Sequence, residues 1–125
     1  MKAIAIDDEP IALEVVKAHA AKVPFIELVA VFTDAFQALE YLQKEPVDLI
    51  FLDIKMPVMD GFEFLDEYET MKQNLSHIPA IMMLTSSASF YDLERLKNYP
   101  DVLRHYSKPL SETDVRDLLQ EYFPN

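Results

Sequence analysis

Leu49-Ile50-Phe51-Leu52 is an unbroken apolar run that ends in one carboxylate, Asp53, and then breaks into the loop Ile54-Lys55-Met56-Pro57-Val58-Met59-Asp60-Gly61. Apolar side chains at successive positions suit a strand covered on both faces, as in a parallel sheet, because a strand with one wet face would alternate. A carboxylate at the end of such a strand is costly unless something pairs with it. Ligands of open parallel α/β sheets bind in the crevice beyond the carboxyl ends of the strands. Asp53 is therefore either a cap for the following turn or part of a site, and its own neighbourhood does not decide which.

The same grammar recurs along the chain. Ala3-Ile4-Ala5-Ile6 ends in Asp7-Asp8-Glu9, and Pro10 suits the first turn of a helix with Ala12, Val15 and Val16 on its apolar side. Phe25 to Phe32 reads as a strand carrying Glu27, and Thr33-Asp34 then cap a helix bearing Ala35, Ala38, Leu39 and Leu42. After Asp53, the residues Phe64, Tyr68, Met71 and Leu75 recur at helical spacing. Ala80 to Leu84 forms a second doubly buried run ending in Thr85-Ser86-Ser87, and a short helix is expected from about Ser89 to Lys97. Val102 to Ser107 mixes apolar residues with Arg104 and His105, as an edge strand does, and leads into Lys108-Pro109. Ser111 with Asp114 has the form of a capping box ahead of Val115, Leu118, Leu119 and Tyr122.

Five alternating strand and helix units imply an α/β fold, a doubly wound parallel sheet with right-handed crossovers. The first, third and fourth strands are uniformly apolar and belong in the centre, whereas the second and fifth carry charge and belong at the edges. The order 2-1-3-4-5 satisfies this and puts the switch point between the first and third strands. Asp7 and Asp8 then lie beside Asp53.

Composition narrows the function. At 125 residues the chain is read as one domain, residues 1–125, and half of its residues are hydrophobic. Eleven basic against twenty-two acidic side chains give a net charge of -11, the wrong sign for direct nucleic-acid binding or an anionic membrane surface. Without cysteine there is no thiolate metal site, and the single glycine, Gly61, excludes Walker and G-x-G-x-x-G phosphate loops. The start MKAIAIDDEP lacks a signal peptide or membrane span, so a cytoplasmic location is expected.

Four strand ends thus deliver Asp7, Asp8, Asp53, Thr85 and Lys108 to one crevice. Clustered carboxylates repel unless a cation joins them, and oxygen-only donors suit magnesium. Lys108 can pair with Asp53 at rest and with a phosphoryl oxygen when one is present, while Thr85 offers a hydroxyl donor. These groups describe a phosphoryl site with Asp53 as nucleophile. Taken singly, each also has a plain structural role, as helix cap, strand end or solvated loop residue.

In these motifs the chain resembles the receiver domains of two-component response regulators along essentially all its length. The family's acidic pair falls on Asp7-Asp8 in IDDEP, its phosphoacceptor on Asp53 in FLDIKMPVMDG, its hydroxyl residue on Thr85 in LTSS and its lysine on Lys108 in SKP. The resemblance implies a flavodoxin-like (β/α)5 fold. It also implies magnesium held by Asp8, Asp53 and the main-chain carbonyl of Lys55, with Asp7 acting through water, and a cis bond between Lys108 and Pro109. The implied function is that of a phosphoacceptor in a phosphorelay. A histidine kinase or histidine phosphotransfer protein supplies the phosphoryl group, a downstream effector is the target, and phosphorylation can drive homodimerisation. The chain would modify itself without turning over a metabolite, so it is not expected to be an enzyme.

Two departures stand out. The family's switch aromatic stands three residues before the lysine, which is His105 here, with Tyr106 one place later; Thr85 is the other half of that switch. Pro100-Asp101-Val102 replaces the small residues common before this strand. Two alternatives accompany the main reading. IDDEPIALE is similar to receivers that precede a LytTR DNA-binding domain, whereas LTSS and KNYPDV are more similar to stand-alone receivers, so the chain could be the receiver half of such a transcriptional regulator or a single-domain regulator. A magnesium-dependent aspartyl phosphatase would use the same nucleophile, but calls for D-x-D after the first strand and a cap segment.

Overall fold

The computed structural model describes residues 1–56, 59–75, 77–85, 90–108 and 110–123. Five strands, β1 (Lys2–Ile6), β2 (Glu27–Phe32), β3 (Leu49–Asp53), β4 (Ala80–Thr85) and β5 (Val102–Ser107), alternate with helices α1 (Pro10–Ala21), α2 (Ala35–Lys44), α3 (Gly61–Met71), α4 (Phe90–Leu96) and α5 (Glu112–Tyr122). The strands form one parallel sheet in the order β2-β1-β3-β4-β5, the doubly wound order expected from the sequence. All of β3 is buried, and β4 is buried except at Ala80, whereas β2 is only partly buried and β5 is largely exposed. The two central runs are apolar throughout because each face of the sheet carries its own helical layer.

Those layers separate by strand parity, since successive side chains point to opposite faces. Ile4, Ile6, Ile50, Leu52, Ile81 and Met83 face the layer of α2, α3 and α4, and Ala3, Ala5, Leu49, Phe51, Met82 and Leu84 face α1 and α5. Helix starts follow local chemistry. Pro10 occupies the first turn of α1, Asp34 accepts from Phe36 N at the start of α2, and α3 and α5 open with capping boxes, Asp60 with Glu63 and Ser111 with Asp114.

Several details correct the sequence reading. The buried stripe of α1 is Leu13, Val16 and Ala20 rather than Ala12, Val15 and Val16. Glu14 and Lys17 mark one polar side of this helix, but the apolar remainder is too wide for periodicity to choose its inner face. The second strand begins at Glu27, and Phe25 is exposed, because the ladder with β1 opens at Lys2 opposite Glu27 while the chain's amino group takes the Phe25 carbonyl. Leu75 lies beyond α3, after a 3-10 turn over Lys72–Asn74. Ser89 and the cis Lys108–Pro109 bond concern residues outside those described.

Candidate functional site

The sheet positions its chemistry at the carboxyl ends of its central strands. Among the described residues, the buried polar or charged side chains are Asp7, Asp53 and Thr85, and all three stand at the carboxyl ends of adjacent strands β1, β3 and β4. Asp7 N continues the β1–β2 ladder by donating to Phe32 O at 3.0 Å, and Asp7 Oδ1 accepts from Glu9 N at 2.9 Å, which folds the acidic loop over the end of β1. Ile54 N donates to Leu84 O at 3.1 Å and Lys108 N to Thr85 O at 2.8 Å. These bonds extend the ladders one step beyond the strands and place Lys108 two residues past Tyr106, the β5 residue in register with Asp53, from where its side chain reaches the Asp53 carboxylate.

Gly61 is needed here for space. Its amide donates to Ile54 O at 2.7 Å, closing the loop after β3 onto its own start. A Cβ at this position would lie 2.6 Å from Asp53 O and 2.9 Å from Ile54 Cα, both backbone atoms that cannot give way without moving the strand end that carries Asp53.

The Lys108 ammonium sits among three carboxylates, 2.6 Å from Asp7 Oδ2, 3.2 Å from Asp53 Oδ1 and 3.5 Å from Glu9 Oε1. The Asp7 contact is the shortest of the three and joins two largely enclosed side chains. Burial, then Asp7, pushes the Asp53 carboxyl up to about 7, with Lys108 pulling the other way. Burial lowers the Lys108 pKa, yet Asp7 and Asp53 outweigh it and the net shift is upward. One ammonium does not compensate this much buried negative charge.

Carboxylate oxygens of Asp7, Asp8, Glu9 and Asp53 lie within 4.8 Å of one another, and Asp8 Oδ1 is buried with no donor. An orphaned carboxylate oxygen inside an all-oxygen cluster is what a hard, incompletely dehydrated cation such as magnesium requires. The residues present therefore fit that ion. Lys55 is exposed in the loop after Asp53. Sequence reasoning missed Glu9 as a member of the group. The available signal was its position next to the acidic pair, and it was obscured because an acid before proline reads equally well as a helix cap.

Register separates the two switch candidates. His105 lies opposite Met83, and Thr85, two residues after Met83, shares its side of the sheet; Tyr106 lies opposite Leu84 and packs in the α1–α5 core. His105 is exposed, and Tyr106 is buried on the face away from Thr85.

The response regulator receiver domain family matches residues 3–120. The chain belongs to that family. Over 91 residues it is 30% identical to sporulation initiation phosphotransferase F of Bacillus subtilis, covering 73% of this chain and 69% of that protein. It is 29% identical over 123 residues to the sensory transduction protein LytT of Bacillus anthracis, covering 98% of this chain and 47% of LytT. The transcriptional regulatory protein YpdB of Escherichia coli K12 is 30% identical over 132 residues, with 97% and 47% covered. The chain thus spans about half the length of these two regulators. Among solved structures, the response regulatory domain of mrkE from Klebsiella pneumoniae superposes with a TM-score of 0.78 at 27% identity, covering 97% of this chain and 93% of that one. Receiver domains generally bind magnesium and act between histidine kinases or phosphotransfer proteins and effectors, and this receiver's acidic cluster is compatible with that ion. No helix of the described residues is long and apolar enough to cross a membrane.

Proposed function

We propose that this receiver accepts a phosphoryl group on Asp53 from a phosphohistidine donor, a histidine kinase or histidine phosphotransfer protein. The observation that carries the reading is the pairing of one buried aspartate with a lysine 3.2 Å away and with a neighbouring aspartate whose buried oxygen has no donor, all at the strand ends. An Asp53 carboxylate oxygen attacks phosphorus; a P–O bond forms as the donor's P–N bond breaks, and the imidazole leaves and takes a proton from solvent. Asp8, Asp53 and the Lys55 carbonyl would hold magnesium, with Asp7 acting through water, and the bound ion supplies positive charge for the phosphoryl oxygens. Lys108 leaves its carboxylate partners to pair with one of those oxygens, and Thr85 donates to another. Thr85 and His105, on one face of the sheet, then form the route from the site to the surface of α4 and β5, where an effector or a second copy engages.

The chain modifies itself and turns over no metabolite. Incubation with acetyl phosphate and magnesium should add one phosphoryl group by intact-mass spectrometry, and Asp53→Asn should add none. Sustained release of phosphate from phosphomonoesters would instead support the phosphatase reading. The coverage of LytT and YpdB favours one second reading, that the effector is an output domain joined to this receiver in a transcriptional regulator. Reading the full gene that encodes the chain tests it.

A further inference from the structure

Glu9 stands at the N-cap of α1 with extended backbone, yet its side chain caps no helical amide. The usual duty of an acid at this position is absent. Pro10 begins the helix without an N–H, and Glu9 O is the acceptor for Leu13 N at 3.3 Å, so the helix start is built from Glu9's backbone alone. The carboxylate turns instead toward the crevice, where Oε1 lies 3.5 Å from Lys108 Nζ. The two partners differ in exposure, since the Lys108 side chain is 12% exposed and that of Glu9 65%. Lys108 therefore reaches inward from the rim, and Glu9 sits over it at the mouth.

We infer that Glu9 is a positioning residue that acts through Lys108, and that its charge sets how readily an anionic phosphoryl donor enters the site. The inference rests on the phosphoacceptor reading of Asp53. Lys108 has three claimants, all members of the acidic cluster that suits a metal, and Glu9 is the solvent-exposed one, placed to hold the ammonium at the mouth. An incoming donor must take Lys108 from Glu9 and must also approach Glu9's own negative charge. Both effects oppose entry and weaken with salt, because Glu9 is solvent-exposed.

The test is the rate of Asp53 phosphorylation against acetyl phosphate concentration at saturating magnesium, in low salt and in about 1 M salt, where charges are screened beyond roughly 3 Å. In low salt, Glu9→Gln should lower the half-saturating concentration roughly three- to tenfold, the scale of one screened charge, with a smaller change in maximal rate. The difference should collapse in high salt, and Glu9→Asp, which keeps the charge, should stay within about twofold of the wild type. Melting of the variants should be unaltered, since the side chain caps nothing. An unchanged half-saturating concentration for Glu9→Gln in low salt would overturn the inference, as would Glu9→Asp behaving like Glu9→Gln. If Asp53→Asn stays silent in the same assay, the phosphoacceptor reading survives that failure; if Asp53→Asn is itself phosphorylated, both fall.

Discussion

Asp53 is held in the folded protein at a cost that depends on its protonation. Its folded pKa of about 7 lies above the ordinary value of 3.8, from burial first and Asp7 second. A raised carboxyl takes up its proton in the folded state before the unfolded one, so this group's contribution is fully present below the unfolded pKa and is lost as pH rises through about 7. Asp53→Asn removes the titration, and Lys108 keeps Asp7 at 2.6 Å. Without magnesium, that variant should melt several degrees above the wild type at pH 8, with the gap closing toward pH 5, as expected for a relieved buried charge worth on the order of 1–3 kcal/mol. A gap that does not change with pH would mean that Asp53 is already compensated in the metal-free protein.

The β3–α3 connection shows what an element can and cannot reveal in sequence. Gly61→Ala places a methyl group 2.6 Å from the Asp53 carbonyl, and overpacking against backbone should cost roughly 1–3 kcal/mol and slow phosphoryl acceptance as well. Thermal melting and an acetyl phosphate time course measure the two effects, and a variant normal in both would show that the loop has slack. Strand order was readable because burial on two faces forces unbroken apolar runs, as in Leu49 to Leu52 and Ala80 to Leu84, and because edge strands tolerate Glu27 and Arg104. The helix caps Asp34, Asp60 with Glu63, and Ser111 with Asp114 are local chemistry, and all but the Asp60 pair were read directly. The inner face of α1 was not readable, since Glu14 and Lys17 mark only one polar stripe and Ile11, Ala12, Leu13, Val15 and Val16 leave the apolar remainder too wide to single out Leu13, Val16 and Ala20. His105 and Tyr106 could be told apart only by register, a relation between β4 and β5 that neither segment carries alone. Glu9 was hidden for a related reason, because its contact is with a lysine 99 positions away, as 108 less 9 gives.

At the scale of the whole molecule, a net charge of -11 makes the fold a general attractor of cations, and the four acids gathered at the carboxyl ends of the central strands are compatible with a bound metal ion. Sodium chloride should raise stability slightly by screening self-repulsion. Millimolar magnesium should raise it further, because an ion that binds only the folded state stabilises by mass action, about 2.7 kcal/mol at a hundredfold excess over its Kd. Asp8→Ala should lose the magnesium increment and keep the salt effect; if it retained both, the acidic pair would not be the metal site. The account turns on Asp53 as the atom-level acceptor, and chemical trapping of the acyl phosphate examines that most directly. Phosphorylated protein treated with borohydride should yield homoserine in place of the aspartate at position 53 on peptide mass spectrometry, and only in samples that received both magnesium and a donor. Homoserine at another position, or a stable phosphoryl adduct that borohydride leaves untouched, would contradict it.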